Sequence, residues 1–249
     1  MTRVRRFGAI TALGLLTAPA LAQSPSGPCR PFLYEDARYT VCTIDLRKYQ
    51  LKLFWRAPDG EPYNSFERLA QAHRDLAFAM NAGMYHKDWS PVGLYVEDGR
   101  ELKKANTANG PGNFHMKPNG VFYANTDSAG VAETGRYLRQ KPKAEIATQS
   151  GPMLVIDGRI HPKISEEGVS RKMRNGVGVR NGKTVVFAIS EELVTFGQFA
   201  RLFRDALGCS NALFLDGSVS SLYAPALNRA DARWPMGPII GAVERTPRR

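Results

Sequence analysis

Asn211-Ala212-Leu213-Phe214-Leu215-Asp216-Gly217-Ser218-Val219-Ser220-Ser221-Leu222-Tyr223 is the stretch from which the rest of the chain is best read. Ala212 to Leu215 is a short apolar run that ends on an acid and a glycine, the pattern of a buried strand closing in a tight turn. Ser218, Ser220 and Ser221 then put three hydroxyls into four positions. Such a turn sets a carboxylate beside free backbone N–H groups, which suits an anionic ligand. An Asp-Gly pair also closes ordinary strands, so the functional reading rests on the hydroxyls behind it.

The ends of the chain carry a different signal. Arg3, Arg5 and Arg6 precede an apolar run from Phe7 to Ala18, and Ala20-Leu21-Ala22 has the small-x-small form of a cleavage site. Residues 1–22 therefore read as an export signal, and the expected location is periplasmic or secreted. No later apolar stretch approaches the roughly 18 residues of a membrane span. Removing residues 1–22 takes away three arginines and no acid, so the formal charge falls from +11 to +8. That charge favours anionic partners. The basic residues are scattered rather than clustered, which argues against nucleic acid and for phosphorylated or acidic glycans of the envelope.

Residues 23–31 are rich in Pro, Ser and Gly, so 23–35 is expected to be a flexible lead-in and 36–249 a single domain. Cys29, Cys42 and Cys209 are odd in number. Export permits a disulfide, and Cys29 with Cys42 would tie the lead-in to the first strand; Cys209 reads as a small buried residue. There is no CxxC or HExxH pattern, no cofactor is evident, and a divalent cation is compatible with the acids but not indicated. Nothing in the sequence sets an oligomeric state.

Alternation predicts that Tyr39–Asp45 and Leu51–Trp55 pair as strands. Asn64 with Glu67 is expected to open a helix carrying Phe66, Leu69, His73 and Leu76 on one face. Asp98-Gly99, Asp157-Gly158 and Asn181-Gly182 mark three hairpins. Thr195 and Gln198 form a capping box for a second helix over Phe196–Leu207, stopped by Gly208. Gly120–Tyr123 and Gly237–Val243 complete the strands. Many strands and two helices predict an α+β domain with mixed or antiparallel sheets.

Polar clusters stand at the ends of these strands: Asn81-Ala82-Gly83-Met84-Tyr85, His115 to Gly120, Gln149-Ser150-Gly151-Pro152, Arg174 to Gly178, and the Asp216 turn. Their order and spacing over residues 75–243 resemble the phosphodiester glycosidase family. Asn81-Ala82-Gly83 matches its Asn-Gly-Gly strand end, and Ser150-Gly151-Pro152 its Gly-Pro strand start. Arg174 to Gly178 matches an Arg-Thr-Ala-Ile-Gly element. Leu215 to Ser220, preceded by Leu207-Gly208, matches Leu-Asp-Gly-Gly-Gly-Ser. Ser218 and Val219 replace two glycines, Asn175 replaces a threonine, and Ser190-Glu191 stands where an aspartate is expected. These departures point to a bacterial, exported branch and bear on specificity more than on fold.

The resemblance implies hydrolysis of a sugar-1-phosphodiester. A departing phosphate needs cations and donors more than a proton. Arg174 is the candidate fork for phosphate and Lys117 a further charge. Ser218, Ser220, Ser221 and Gly217 N–H would complete the cradle. Asp216 is the expected carboxylate facing the sugar cation, with Glu191, then Asp88, as candidates for a second. His115 is a candidate acid or base. Asn81, Gly83, Asn119, Gln149, Ser150 and Gly151 would line the substrate. No Gly-x-Ser-x-Gly elbow is present, which removes a serine hydrolase. The rival reading is a non-catalytic envelope protein that binds anionic glycans through loop residues Tyr85, Trp89, Tyr223 and Trp234.

Overall fold

The structure, a computed structural model, describes residues 27–245. The expected export signal and residues 23–26 lie outside them. From the N-terminus run strands β1 (Cys29–Tyr34), β2 (Ala37–Asp45) and β3 (Tyr49–Phe54), helix α1 (Phe66–Ala72) and β4 (Leu76–Asn81). Hairpins β5 (Tyr95–Glu97) with β6 (Arg100–Lys103) and β7 (Gly120–Ala124) with β8 (Ala129–Glu133) follow. Then come α2 (Thr134–Gln140), β9 (Ile146–Ser150), β10 (Met153–Ile156) and β11 (Arg159–Ile160). The last third holds β12 (Asn175–Arg180), β13 (Thr184–Ser190) and α3 (Phe196–Arg201). It ends with β14 (Asn211–Phe214), β15 (Leu222–Ala224), β16 (Arg229–Ala230) and β17 (Ile239–Glu244).

The strands form three sheets, ordered β1-β2-β13-β12-β14-β10-β11, β16-β15-β4-β17-β3 and β6-β5-β9-β7-β8. Every ladder is antiparallel. The protein is therefore more β-rich than the expected α+β balance, at 42% strand and 14% helix.

The sheets enclose one central core, to which each sends an inward face: Ile44, Val177 and Phe187 from the first, Leu53, Phe78 and Met80 from the second, Tyr95 and Phe122 from the third. Phe187 lies 4.8 Å from Phe78 and 6.0 Å from Phe122, so one aromatic ring from each sheet meets at the centre. One helix caps each outer face. Helix α3 covers the first sheet through Phe199 and Ala200, α1 the second through Phe66 and Leu69, and α2 the third through Tyr137. Alternate residues of a strand face opposite sides, so three sheets buried on both faces need this double coat.

Several sequence expectations require correction. Strands β2 and β3 do not pair: β2 lies between β1 and β13, while β3 pairs with β17 in another sheet. Buried along most of its length, β2 takes partners on both edges, and the chain leaves the sheet at Asp45. Residues 29–34 of the expected lead-in are strand β1. Helix α1 is capped by Ser65, whose Oγ accepts from Arg68 N, because Asn64 sits at φ +56° in an isolated bridge to Met236. The Thr195–Gln198 capping box is present, but α3 gives way at Leu202–Ala206 to a π turn before Gly208, at φ +63°. Helix α2, not foreseen, is nucleated by Glu133, whose carboxylate accepts from Gly135 N and Arg136 N.

Cys29 and Cys42 face each other in the β1–β2 ladder and are disulfide-bonded, and Cys209 is buried and free. The bridge closes a short loop of chain. Replacing both cysteines with serine is expected to lower unfolding free energy by about 2–3 kcal/mol in a denaturant titration. An unchanged midpoint would show that the ladder alone holds β1.

Candidate active site

At one rim of the central core the ends of β4, β9, β12 and β14 come together, held by buried side chains. Asn175 is the hub. Its Nδ2 donates to Asn81 Oδ1 at 2.8 Å and to the Asn81 carbonyl at 3.2 Å, and its Oδ1 accepts from Asp216 N at 2.9 Å. Ser221 N donates to the same Asn81 Oδ1 at 2.9 Å. Ser150 Oγ, from the third sheet, donates to the Leu215 carbonyl at 2.7 Å. Gly83 lets the chain after β4 touch β9, since a Cβ there would stand 2.6 Å from the Gln149 carbonyl.

With Asn81 Oδ1 accepting two N–H groups, the orientation of this amide is set. Its Nδ2 is buried and finds no acceptor among the described residues. A buried donor left unpaired costs about 1–3 kcal/mol, so this N–H is available to an incoming acceptor.

Asp216 follows directly. The half-buried carboxylate accepts from Ser218 N at 3.0 Å, and Ser220 Oγ donates to the Asp216 carbonyl at 2.9 Å. Dehydration pushes its pKa above the ordinary aspartate value, while the turn N–H groups of Ser218, Gly217 and Val219 pull the other way. The charge of Asp216 and, above all, burial push the neighbouring Tyr85 phenol up to about 12.

Arg174 stands at the same end of the adjacent strand. Leu215 N donates to the Asn175 carbonyl and Asn175 N to the Asp216 carbonyl, extending the β12–β14 ladder to this point. The guanidinium is 2% exposed, lies 3.5 Å over the Phe196 ring and 5.7 Å from Phe214, and has no carboxylate partner among the described residues. Burial lowers its pKa to about 10, so it stays cationic at neutral pH. The expected two-oxygen fork is partly used: Nε donates to the Val194 carbonyl and Nη2 to the Ser170 carbonyl, leaving Nη1 without an acceptor among the described residues. Ser190, where an aspartate was expected, accepts from Arg174 N through Oγ. No ion pair joins Arg174 to Asp216.

With this arrangement in place, a phosphodiester glycosidase family model matches residues 74–243. The chain belongs to the phosphodiester glycosidase family. It is 33% identical over 237 residues to an uncharacterized protein of Escherichia coli K12, YigE, covering 94% of this chain and 91% of that one. Its fold is similar to the zebrafish N-acetylglucosamine-1-phosphodiester α-N-acetylglucosaminidase catalytic domain, auto-inhibited by its pro-peptide. That match has a TM-score of 0.60 at 14% identity, over 87% of this chain and 82% of the other. A hypothetical protein from Synechocystis matches with a TM-score of 0.56 at 15% identity, over 87% of this chain and 61% of that one.

The other residues singled out from the sequence divide into two groups. Gly217 and Ser220 build the Asp216 turn, where a Cβ on Gly217 would crowd the Met173 carbonyl at 3.0 Å; Ser218 contributes its N–H and is exposed. Gln149 and Asn119 are buried and spend their side-chain hydrogen bonds within the fold. Gln149 Oε1 accepts from Leu94 N and Asn106 N, and its Nε2 donates to the Asn106 carbonyl and to Thr134 Oγ1. Asn119 donates to the Phe114 carbonyl and accepts from Thr134. Gly151 allows the 113–119 segment to lie against β9, with a Cβ there 2.8 Å from the Phe114 carbonyl.

Lys117 Nζ donates to the Thr107 carbonyl and to Asn109 Oδ1, and His115 Nδ1 lies 3.1 Å from the Ala108 carbonyl, so both pin the 106–113 loop. Glu191 is engaged elsewhere: its Oε1 accepts from Thr40 Oγ1 and pairs with Arg229. It lines a surface pocket of about 760 Å³ with Phe32, Thr40 and Leu227. Asp88 caps Ser90. No hydrogen bond ties Lys117, His115, Glu191 or Asp88 to Asp216. Among the described residues no group of three His, Cys, Asp or Glu side chains is placed to hold a metal, and no helix is long and apolar enough to cross a membrane.

Two measurements test this geometry. Asn175→Ala leaves Asp216 N and one lone pair of Asn81 unmatched and is expected to cost about 2–3 kcal/mol of unfolding free energy. Asp216→Asn should act oppositely. Because the native pKa is raised, the proton-linked stability is full at acid pH and is lost as pH rises through the native value. The asparagine variant should therefore unfold at higher temperature than the parent at neutral pH, with the gap closing in acid; a lower melting temperature at neutral pH contradicts the assignment.

Proposed function

We propose that this protein is an exported hydrolase that cleaves the sugar from a glycosyl-1-phosphodiester or a related envelope glycan. One observation carries the reading: a dehydrated carboxylate shares a rim with a buried arginine and an amide N–H that find no acid and no acceptor among the described residues. Such groups are stable together when an anion and a developing cation occupy the space between them.

The bond that breaks joins the anomeric carbon to the bridging phosphate oxygen, and both electrons leave with that oxygen. Arg174 through Nη1 and Asn81 through Nδ2 stabilise the phosphomonoester as it departs. Ionised Asp216 stabilises the cationic sugar. Water adds to the anomeric carbon, its proton passes to solvent, and the free sugar is released. A phosphate departs as a weak base, so a second carboxylate acting as proton donor is not needed. Glu191 then serves its ion pair with Arg229. The export reading rests on residues 1–22 and agrees with the Cys29–Cys42 bridge, a bond of oxidising compartments.

Hydrolysis of a panel of sugar-1-phosphodiesters in ¹⁸O-labelled water tests the proposal. The label should appear on the anomeric hydroxyl of the sugar. Asp216→Asn should lower kcat about a thousandfold and Arg174→Met about a hundredfold, whereas Glu191→Gln should change it by no more than about twofold. Label in the phosphate would make the protein a phosphodiesterase. Tight binding with no turnover would make it a glycan-binding protein. Activity should fall as pH drops through the Asp216 pKa, placing the acid limb above the usual aspartate range.

A further inference from the structure

The segment after Asn81 takes no part in the chemistry above, yet it is built with some strain. Tyr85 bridges Pro91, His86 N donates to the Ser90 carbonyl at 2.8 Å and Trp89 N to the His86 carbonyl at 2.9 Å. The Asp88 carboxylate accepts from Ser90 N at 3.1 Å and Ser90 Oγ at 2.7 Å. This tight turn holds Trp89 at φ +66°, a left-handed backbone that a bulky side chain rarely adopts. Strain of this kind persists where the surroundings over-determine it, and it clusters at ligand sites.

The turn presents two rings. Trp89 and Tyr85 lie 5.5 Å apart with their planes 36° from parallel. Tyr85 is locked from behind: its hydroxyl donates to the Pro235 carbonyl at 3.0 Å, and its ring lies on Gly237, where a Cβ would come within 2.5 Å of Cγ. Neither ring belongs to the four apolar clusters that hold the fold, and both are only half-buried. Packing therefore does not account for them. Their position does: Tyr85 is four residues beyond Asn81, and Met84 between them packs into the cluster containing Phe214, two residues before Asp216.

We propose that Tyr85 and Trp89 are the sugar platform of this site, on which the C–H face of a pyranose lies so that its anomeric carbon reaches Asp216. The proposal rests on the reading of that site as one that cleaves the anomeric bond of a glycosyl-1-phosphodiester. The aromatic faces are electron-rich and apolar, matching the weakly positive C–H face of a pyranose ring. The phosphate, bound by Arg174 and Asn81, contributes nothing to this contact, so the platform selects the sugar and not the anion.

Trp89→Gly is the informative variant, because glycine accepts the left-handed backbone and removes the ring. It should melt no lower than the parent while KM for the sugar phosphodiester rises about tenfold and kcat holds, the signature of lost uniform binding. Trp89→Phe should recover most of the affinity. In parallel, ¹⁹F NMR of protein labelled with 5-fluorotryptophan follows Trp89 while N-acetylglucosamine, glucose or inorganic phosphate is added to Asp216→Asn, which needs no turnover. The sugars should move the Trp89 resonance and phosphate should not. A Trp89 signal unmoved by any sugar, or moved equally by phosphate, overturns the proposal, as does a Trp89→Gly variant with unchanged KM. Sugar-specific shifts in a protein that turns over no phosphodiester would support the platform and sink the hydrolase reading instead.

Discussion

A single buried carboxamide sets the geometry on which this site depends. Asn175 uses both ends of its side chain, giving its N–H groups to Asn81 in the second sheet and taking the Asp216 N–H at the exit of β14 in the first. Ser150 adds a tie from the third sheet to Leu215. Every sheet thus fixes the chain around Asp216 through one polar anchor at the rim of the shared core. In a low-dielectric setting such a network is rigid when satisfied and costly when broken. Asn81 Nδ2, a buried donor with no acceptor among the described residues, lies among these anchors.

The site is electrostatically expensive and the fold beneath it is not. Asp216 is dehydrated and Arg174 is buried with no acid beside it among the described residues, two conditions that a protein selected only for stability would avoid. Arg174 is made tolerable by backbone carbonyls on Nε and Nη2 and by the Phe196 ring under its plane. Below, Phe78, Phe122 and Phe187 bring the three sheets together on one dry centre, and each outer face has its own helix. Strong packing there lets the rim carry charges that oppose folding.

Much of this was legible in the sequence, for definable reasons. Turn residues with positive φ at Asp98, Asp157 and Asn181 announced hairpins that form. The Thr195–Gln198 box announced α3, and the run into Asp216 announced a buried strand ending at the site. Local chemistry decides these features. Which sheet a strand joins is decided by distant partners, so the pairing of β2 and β3 was misread, as was the strand character of β1. Among site residues, Asn81, Ser150, Arg174 and Asp216 do gather at one rim. Gln149, Asn119 and Lys117, read as ligands, and His115, read as an acid or base, hold loop backbone here, because a polar side chain at a strand end looks alike whether it meets a substrate or a loop. Asn175 was noted only as a departure from the family pattern. Its role becomes visible once β12 and β4 are seen to end side by side.

The most direct test is a crystal structure of the protein with a non-hydrolysable glycosyl-1-phosphonate ester. The anomeric carbon should lie against the Asp216 carboxylate, with phosphonate oxygens on Arg174 Nη1 and Asn81 Nδ2. A ligand seated instead in the pocket beside Glu191 and Arg229, with the Asp216 rim unchanged, would contradict the account.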